Sequence, residues 1–366
     1  MDKQKLLYGT ASAFAALAFS LTPAIATEAS NSQTGQDSDN DATVNVSNDV
    51  DILQENDLDV DNNINIYVGT GGNSADKNTG DGSVKTGDAK SSVSLKTMGN
   101  KNSLSVSMSD NGGSSASNDN TGQDSDNDAD VDLDNDFDLT QKNDADVDND
   151  VDVDVDTGDN SADKNTGDGS VSTGDATASV SIETILNENE AEVDLGNGGD
   201  ASASNSHTGQ DSDNAASVDV DNDVDILQDN DLDVDNDVDV DVDTGDNSAD
   251  KNTGDGNVDT GDAEVDVEVS TSGNSNSADV NVPSDSDVAV ENDNTGQDSD
   301  NDASVDVDND VDISQENDSD VDNDGDVDAD TGDSSSDKNT GDGDVESGGS
   351  DVDVEVSTDL NNNELN

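Results

Sequence analysis

The fold of this chain is decided by residues 218–242, which read VDVDNDVDILQDNDLDVDNDVDVDV. Every odd-numbered position of this block is Asp except Leu227, whereas the even-numbered positions hold Val, Ile, Leu, Asn or Gln. A side-chain period of two predicts β-structure with one apolar face and one carboxylate face. An amphipathic helix cannot use this pattern, because a period of 3.6 residues would place Asp on every side.

The alternating block belongs to a tandem repeat of 87 residues, since Thr-Gly-Gln-Asp begins at Thr34 and returns three times at that spacing. A fixed period without insertions predicts units that stack in strict register. The predicted division of the chain is a signal peptide (1–26), a short linker (27–33), repeat 1 (34–120), repeat 2 (121–207), repeat 3 (208–294) and a truncated capping repeat 4 (295–366).

The block is longer than the five or six residues of an ordinary strand, so we expect it to be broken. Asn222, Gln228 with Asn230, and Asn236 are the expected corners, since Asn tolerates turns and can pair its amide with the same Asn one coil away. The Gln residues 18 apart in each repeat support short coils. The predicted fold is therefore an all-β, repetitive β-solenoid with possible disordered turns. It would hold about sixteen coils of ~18–22 residues, a rod ~70–80 Å long.

Charge dominates the composition, with 93 acidic residues, 11 basic residues and a formal net charge of -82. Such acidity with 27% hydrophobic residues is also typical of disorder, which stays open as the alternative. All basic residues are Lys, and the field of the chain would repel nucleic acid and anionic membranes. The expected partners are divalent cations, cationic surfaces and other copies of the chain.

The first 26 residues have the features of a secretory signal peptide. Lys3 and Lys5 precede a mostly apolar stretch, and Ala24-Ile-Ala26 offers a small-x-small cleavage signal. The alternative of a membrane anchor is disfavoured, because the apolar run is short and interrupted. We therefore expect a secreted or cell-surface protein with no membrane insertion after cleavage.

Stacked coils would place equivalent Asp side chains about 4.8 Å apart, where each pair of charges repels by roughly 0.9 kcal/mol in water. Calcium could bridge such carboxylates. The alternative is that the Gly and Asp residues of the turns serve only to form those turns and bind no ion. Asp320-x-Asp322-x-Asp324-Gly begins like an EF-hand loop, but Thr331 stands where its bidentate Glu belongs. The candidate calcium ligands are Asp159, Asp168, Asp175, Asp246, Asp255, Asp262, Asp320, Asp322 and Asp324.

Little in the chain points to catalysis. Cys is absent, and the single His, His207, lies in a Ser/Asn-rich stretch of one repeat, where we expect it to be solvated. The Asp-Lys-Asn lysines, such as Lys164, either pair with neighbouring carboxylates or stay solvated. We expect no enzymatic activity, no catalytic residue and no organic cofactor.

Gln36, Asn40, Ala42 and Val44 form a pattern, repeated from Gln123 and from Gln297, that resembles curlin-type repeats. This chain departs from the curlin pattern in two respects. Curlin repeats carry a Gly and one more residue between Gln and Asn, and they close with a nearby Gln. The resemblance implies a secreted β-solenoid that assembles into extracellular fibres. The chain is also similar to secreted bacterial surface repeat proteins rich in Thr-Gly-Asn/Asp turns, whose roles are mostly structural.

Repeat 4 is less apolar than its neighbours, with Ser319, Gly325 and Ala329 at inward positions. A polar last repeat suits a solenoid cap, although sequence drift explains it equally well.

The predicted function is a secreted, acidic structural protein of a fibre, matrix or surface layer, whose self-association is modulated by cations. One alternative is a soluble calcium-binding or mineral-binding protein with loosely ordered Asp tracts. The other is an adhesin stalk adapted to high salt.

Overall fold

The computed structural model describes residues 3–11, 14–21, 27–108, 113–195, 201–282 and 288–366, which form strands and turns without a helix. Each alternating block is one unbroken strand of 31 residues. These long strands lie side by side in a parallel sheet, and every other sheet is also parallel. The chain is therefore an all-β, repetitive solenoid, and the predicted fold class is confirmed.

Two strands precede the coils, and every coil then holds a series of five strands, the first of which comes just before the repeat that supplies the other four. The two leading strands are β1 (Lys3–Ala11) and β2 (Phe14–Leu21). Coil 1 holds β3 (Glu28–Ser32), β4 (Asp39–Gly69), β5 (Asn73–Ser74), β6 (Gly82–Lys85) and β7 (Ala89–Met108). Coil 2 holds β8 (Ser114–Asp119), β9 (Asp126–Asp156), β10 (Asn160–Ser161), β11 (Gly169–Ser172) and β12 (Ala176–Asp194). Coil 3 holds β13 (Ala201–Ser206), β14 (Asp213–Asp243), β15 (Asn247–Ser248), β16 (Gly256–Asp259) and β17 (Ala263–Asn281). Coil 4 holds β18 (Val288–Asp293), β19 (Asp300–Asp330), β20 (Ser334–Ser335), β21 (Gly343–Glu346) and β22 (Ser350–Leu365).

One repeat makes one coil, because each residue of a long strand pairs with the residue 87 positions away. Val218 of β14, for example, pairs with Val131 of β9 and with Val305 of β19. The prediction of sixteen coils of 18–22 residues in a rod of 70–80 Å is therefore wrong. The stack holds four coils about 4.8 Å apart, and each long strand extends roughly 100 Å at ~3.3 Å per residue.

The expected corners at Asn222, Gln228 with Asn230, and Asn236 are also wrong, since all of them lie inside β14. Their amides form ladders along the stack: Asn222 accepts a hydrogen bond from Asn135 at 2.8 Å and donates one to Asn309 at 2.7 Å. In-register stacking gives every such amide a matching partner, so a buried Asn does not need to end the strand. The predicted pairing of equivalent Asn side chains is confirmed, at a spacing of 87 residues.

Two layers enclose the core of the solenoid. The sheet of long strands packs against the sheet of β7, β12, β17 and β22, and their inward Val, Ile and Leu side chains form three clusters. The sheet of β3, β8, β13 and β18 covers the first part of the long strands with small residues such as Ala201 and Ala203. Phe137 is fully buried and belongs to the same apolar cluster as Val193 and Val224. The pattern of apolar residues inside and Asp outside therefore matches the prediction from the alternating block.

A double ladder of Asn side chains interrupts the apolar core where the two layers face each other. Asn189 of β12 donates to Asn230 of the opposite sheet at 2.9 Å and to Asn276 of the next coil at 3.0 Å. Its side-chain oxygen accepts from Asn143 at 2.9 Å and from Asn102 at 3.0 Å. All of these amides are buried, and each binds its neighbours both along the stack and across it.

The corners of the coil lie in the turns, where the backbone adopts left-handed φ angles. In coil 2 these corners are Asn120, Asp124, Gly158 and Lys164, with φ between 52° and 80°, and one further left-handed residue, Asn187, lies inside β12 with φ of 60°. Positions 87 residues away repeat each of them, so the lysine of every Asp-Lys-Asn triplet lies at a left-handed corner. His207 occupies the corner that Asn120 forms in coil 2, with φ of 54°.

Glycines at the Thr-Gly-Gln turns bring the backbones of neighbouring coils into close contact. A Cβ atom on Gly209 would lie 2.2 Å from the carbonyl oxygen of Gly122, whereas a Cβ on Gly35 in coil 1 would meet nothing within 4 Å. We expect Gly209→Ala to lower the free energy of unfolding by about 1–3 kcal/mol, because backbone must move to admit the methyl group. Gly35→Ala is the matched control and should change stability by less than about 0.5 kcal/mol. Urea unfolding followed by circular dichroism measures both, and equal effects would contradict the close approach.

The strands β1 and β2 both pair with β7, on the edge opposite β12. Lys3 lies against Ala89, and Phe14 lies against Lys101. The predicted cleavage signal, Ala24–Ala26, lies outside the described residues, and the signal peptide stays a prediction.

Repeat 4 forms the last coil of the stack, and β19 is the outermost of the long strands. Its inward side chains are open to solvent: Val305 is 51% exposed, whereas its partner Val218 is 1% exposed. Ser319, Gly325 and Ala329 lie along the same edge. The prediction that these substitutions cap the stack stays a prediction.

Candidate functional site

The outer face of the long strands is covered by Asp rows, which we define as Asp residues at equivalent positions of successive coils. One complete row consists of Asp51, Asp138, Asp225 and Asp312, and each member pairs through the backbone with the next. The strand spacing places successive members about 4.8 Å apart. Several such rows run parallel, about 7 Å from one another, because every second residue of a strand points outward. The face is thus a two-dimensional array of carboxylates.

The inner coils hold carboxyls whose pKa values are shifted upward. Burial, and then the charges of Asp152 and Asp326 in the coils on either side, raise the pKa of Asp239. The same two causes, burial first and neighbouring carboxylates second, raise the pKa of Asp128, Asp136, Asp138, Asp154, Asp219, Asp223, Asp231, Asp235 and Asp241. All of them lie in β9 or β14, which have a charged strand on both sides.

The largest of these shifts is at the end of β14. Burial raises the pKa of Asp243 to about 6, with a further contribution from Asp156 and Asp330, against the lowering effect of a hydrogen bond from the Gly245 N–H. Protonation of Asp243 is therefore more favourable in the folded stack than in the unfolded chain, where the pKa is 3.8.

Stability is expected to depend on pH in the direction that these shifts set. The Asp243 carboxyl has a higher pKa in the folded than in the unfolded chain, so its protonation stabilises the fold. That stabilisation is complete below pH ~3.8 and is lost as pH rises through about 6. Asp76 and Asp119 act oppositely, since their pKa values are lowered and their contribution is lost in acid. Because the raised carboxyls outnumber these two, we predict a higher urea midpoint at pH 4.5 than at pH 7.5.

Two controls accompany the pH prediction. Asp243→Asn should raise stability at pH 7.5 by less than about 1 kcal/mol and weaken the pH dependence, since Asn keeps the acceptor for Gly245 and carries no charge. Salt at 1 M should also weaken it, because the Debye length falls to about 3 Å. A midpoint that rises with pH would show that repulsion within the Asp rows does not govern stability.

Six of the candidate calcium ligands lie in the turns and form ladders of a different kind. In each ladder a carboxylate oxygen accepts a hydrogen bond from the backbone N–H of the equivalent residue one coil further on. The pairs are Asp159 with Asp246 (2.9 Å), Asp246 with Asp333 (2.7 Å), Asp168 with Asp255 (2.9 Å), Asp255 with Asp342 (2.8 Å), Asp175 with Asp262 (3.2 Å) and Asp262 with Gly349 (2.8 Å). These carboxylates therefore bind backbone across the coils.

The remaining candidates, Asp320, Asp322 and Asp324, lie on the exposed face of β19, spaced along one strand instead of around a loop. Among the described residues, no three carboxylate or His side chains converge at distances that would hold a metal ion. Calcium binding thus stays a prediction.

Lysines of coil 1 form ion pairs with acids of coil 2 at the 87-residue spacing. Lys96 lies 2.7 Å from Glu183, and Lys101 lies 2.7 Å from Glu188 and 3.3 Å from Glu190. Burial alone would lower the pKa of Lys101, but the hydrogen bonds and charges of these two Glu side chains raise it. Lys residues are thus placed to neutralise part of the acidic stack, and sequence analysis missed their position in coil 1.

The charge of Lys164, in coil 2, affects the pKa of Asp76 in coil 1. Burial alone would raise the pKa of Asp76, but hydrogen bonds from the Asp163 N–H and from Ser74 and Ser161, together with the charge of Lys164, lower it. Lys164 is exposed and, among the described residues, lies within 4 Å of no carboxylate oxygen, so the alternatives left open for the Asp-Lys-Asn lysines stay open.

His207 is largely exposed, in agreement with the expectation of a solvated residue, and it also contacts a carboxylate. Its Nδ1 atom lies 3.1 Å from Asp119. A hydrogen bond from the Ser206 hydroxyl, and then the interaction with His207, lower the pKa of Asp119. The contact joins coils 2 and 3 at a corner.

An open groove crosses the outer face where Leu53, Thr140, Leu227 and Ser314 replace Asp at equivalent positions. The side chain of Leu53 is 65% exposed, and the Asp row that begins at Asp51 borders the groove on one side. Its lining offers carboxylates and aliphatic carbon. The expectation that the protein is not an enzyme stays a prediction.

Comparison of the chain with protein-family models, with curated proteins and with solved structures finds no match. Among the described residues, no helix is long and apolar enough to span a membrane. The resemblance to curlin-type repeats therefore stays a prediction from the sequence.

Proposed function

We propose that this protein is a secreted structural component of an extracellular fibre, matrix or surface layer, and that cations control its self-association. The observation that supports the proposal is the in-register stack itself: three joints between coils share the same 87-residue register, and the last coil leaves inward side chains such as Val305 exposed to solvent. Open edges of parallel sheets are templates for pairing with another chain. The Asp rows oppose that pairing through charge repulsion, which bound cations relieve.

Calcium is the cation whose chemistry fits this array best. It prefers carboxylate oxygens and accepts irregular geometry with waters completing its shell, so adjacent members of an Asp row could share an ion. The second candidate function, a soluble calcium-binding or mineral-binding protein, rests on the same rows. It differs in requiring no contact between copies.

Far-UV circular dichroism and light scattering, recorded together during a calcium titration of the chain from Thr27 onward, distinguish these functions. We expect strand content at low calcium, a rise in scattering as calcium is added, and reversal by a chelator. Magnesium at equal ionic strength is the control and should act more weakly, because it loses its water shell reluctantly. Calcium that binds without any rise in scattering would favour the soluble cation-binding protein, and unchanged scattering without binding would contradict both.

A further inference from the structure

At the coil 4 end of the stack, apolar side chains that are buried between the inner coils are exposed to solvent. Val352, Val354 and Val356 of β22 are 45–53% exposed, whereas Val265 and Val267, one coil before, are 1% and 3% exposed. The difference arises because coil 4 covers the strands of coil 3, whereas among the described residues no strand pairs with β22 or β19 on the far side. We call β19 and β22 the open edge.

The opposite end of the stack supplies the matching surface. The long strand β4 is the free end of its sheet, and β7 lies next to β1 and β2 at the other end of the facing sheet. We call β4 and β7 the first-coil edge. Continuing the 87-residue register from the open edge of one copy to the first-coil edge of a second copy places Val305 against Val44 and Val354 against Val93.

The buried amide ladders would continue through the same joint. In the stack, Asn48 donates to Asn135, Asn135 to Asn222, and Asn222 to Asn309. Asn309 would donate to Asn48 of the second copy with the same geometry. An identical register therefore extends the polar ladder and the apolar core together, which a shifted register would not do.

The distribution of Lys and acidic residues favours binding of the open edge of one copy to the first-coil edge of another. Five of the eleven Lys residues lie in repeat 1 and one lies in repeat 4. The continued register brings Lys85 of the second copy over Glu346, and Lys90 of the second copy over Asp351. Joining two open edges would instead place acid against acid. Unlike charges at facing ends steer association and select the partner surface.

We propose that the open edge of one copy binds the first-coil edge of a second copy in this register, and that β1 and β2 hold the β7 half of the site until they are removed. The backbone of β7 pairs with β1 from Ala89 onward and with β2 from Lys101 onward. These are the pairing groups that β22 of the other copy needs, since Ala263, the equivalent of Ala89 in coil 3, pairs with Ser350. The contact is head-to-tail and does not close on itself, so it builds filaments.

This inference rests on the proposed self-association, and its test separates the two. Every protein carries a site-specific protease sequence inserted between Leu21 and Thr27, and assembly in calcium is followed by light scattering and electron microscopy before and after cleavage. The head variant is Lys85→Glu with Lys90→Glu, and the tail variant is Glu346→Lys with Asp351→Lys. Circular dichroism and urea unfolding verify that both variants fold.

We expect the unmodified protein to assemble only after cleavage. Each cleaved variant alone should assemble about tenfold more slowly, because like charges then face each other, and an equal mixture of the two should recover the unmodified rate. Gly35→Ala should also slow assembly without loss of stability, since its methyl group would meet the Gly296 carbonyl of the other copy, as Gly122 meets Gly35 inside the stack.

The remaining outcomes overturn distinct parts of the inference. A mixture that assembles no faster than either variant overturns the head-to-tail register, and equal rates before and after cleavage overturn the role of β1 and β2. In both cases assembly of the unmodified protein leaves the proposed function standing. If the cleaved, unmodified protein does not assemble in calcium, the proposed function and this inference fail together.

Discussion

Asn189→Asp is expected to lower the free energy of unfolding by about 3–5 kcal/mol at pH 7, the cost of an unpaired charge in a buried site. The side-chain nitrogen of Asn189 donates to Asn230, to Asn276 and to the Asp229 carbonyl. A carboxylate would face three oxygen atoms there, in a site that is fully buried. Urea unfolding followed by circular dichroism measures the loss.

Asn45→Asp is the matched control for this substitution. Asn45 is exposed on the outer face, and Asp132 occupies the equivalent position in coil 2, so the control should lower stability by no more than about 1 kcal/mol, the repulsion of the added charge pair in water. The loss caused by Asn189→Asp should shrink near pH 4, because a protonated carboxyl can donate one hydrogen bond. A loss below about 1 kcal/mol at pH 7 would mean that the Asn double ladder is hydrated or absent.

Phe137→Ala is expected to cost about 3–5 kcal/mol of stability. Phe137 is 0% exposed and lies in a cluster with Leu104, Val193 and Val224 of three different strands. Removing the ring would leave a cavity between the two layers that rigid 31-residue strands cannot easily fill.

Phe137→Val provides the comparison, since Val occupies the equivalent positions in coils 1, 3 and 4. It should cost about 1–2 kcal/mol, because the branched side chain keeps most of the contacts with the coils on either side. Urea unfolding of the three proteins gives both differences. Equal losses for Ala and Val would show that the ring has a specific role beyond filling volume, and negligible losses for both would place it outside the core.

The period of the sequence was sufficient to predict much of this fold. Alternation of Asp with Val, Leu and Ile predicted strands with an acidic outer face, and the constant 87-residue spacing predicted stacking in register. Both follow from local rules: side chains alternate along a strand, and equivalent residues meet when repeats stack. The amide pairing of residues such as Asn222 followed from the same argument and is confirmed.

The size of the coil could not be obtained from local rules. Inward Asn and Gln were interpreted as corners because the block is longer than an ordinary strand and Asn tolerates turns. In the stack, the side chain of Gln141 donates to Gln54 of the previous coil at 2.7 Å, so the polar group is satisfied inside a continuous strand. The 18-residue spacing of Gln36 and Gln54 was misleading, since Gln36 is in an exposed turn and Gln54 is buried.

The candidate site was predicted in part. The Asp rows and their spacing follow from the alternation, whereas the turn carboxylates were chosen as calcium ligands from the expected spacing of stacked Asp residues. Asp159 and Asp168 accept backbone hydrogen bonds from the next coil, a partnership that depends on the turn conformation. The concentration of Lys in repeat 1 was visible in the sequence, but its meaning depends on which coil lies at the end of the stack.

The central claim is that one 87-residue repeat forms one coil, and nitroxide labels on a chain without native Cys test it directly. Labels attached through Asp132→Cys and Asp219→Cys should lie within about 10 Å and broaden the continuous-wave spectrum strongly, since these residues pair on neighbouring strands ~4.8 Å apart. Labels at Asp219→Cys and Asp237→Cys, 18 residues apart on β14, should lie roughly 60 Å apart and show no broadening. Broadening of the second pair without the first would contradict the account and support short coils.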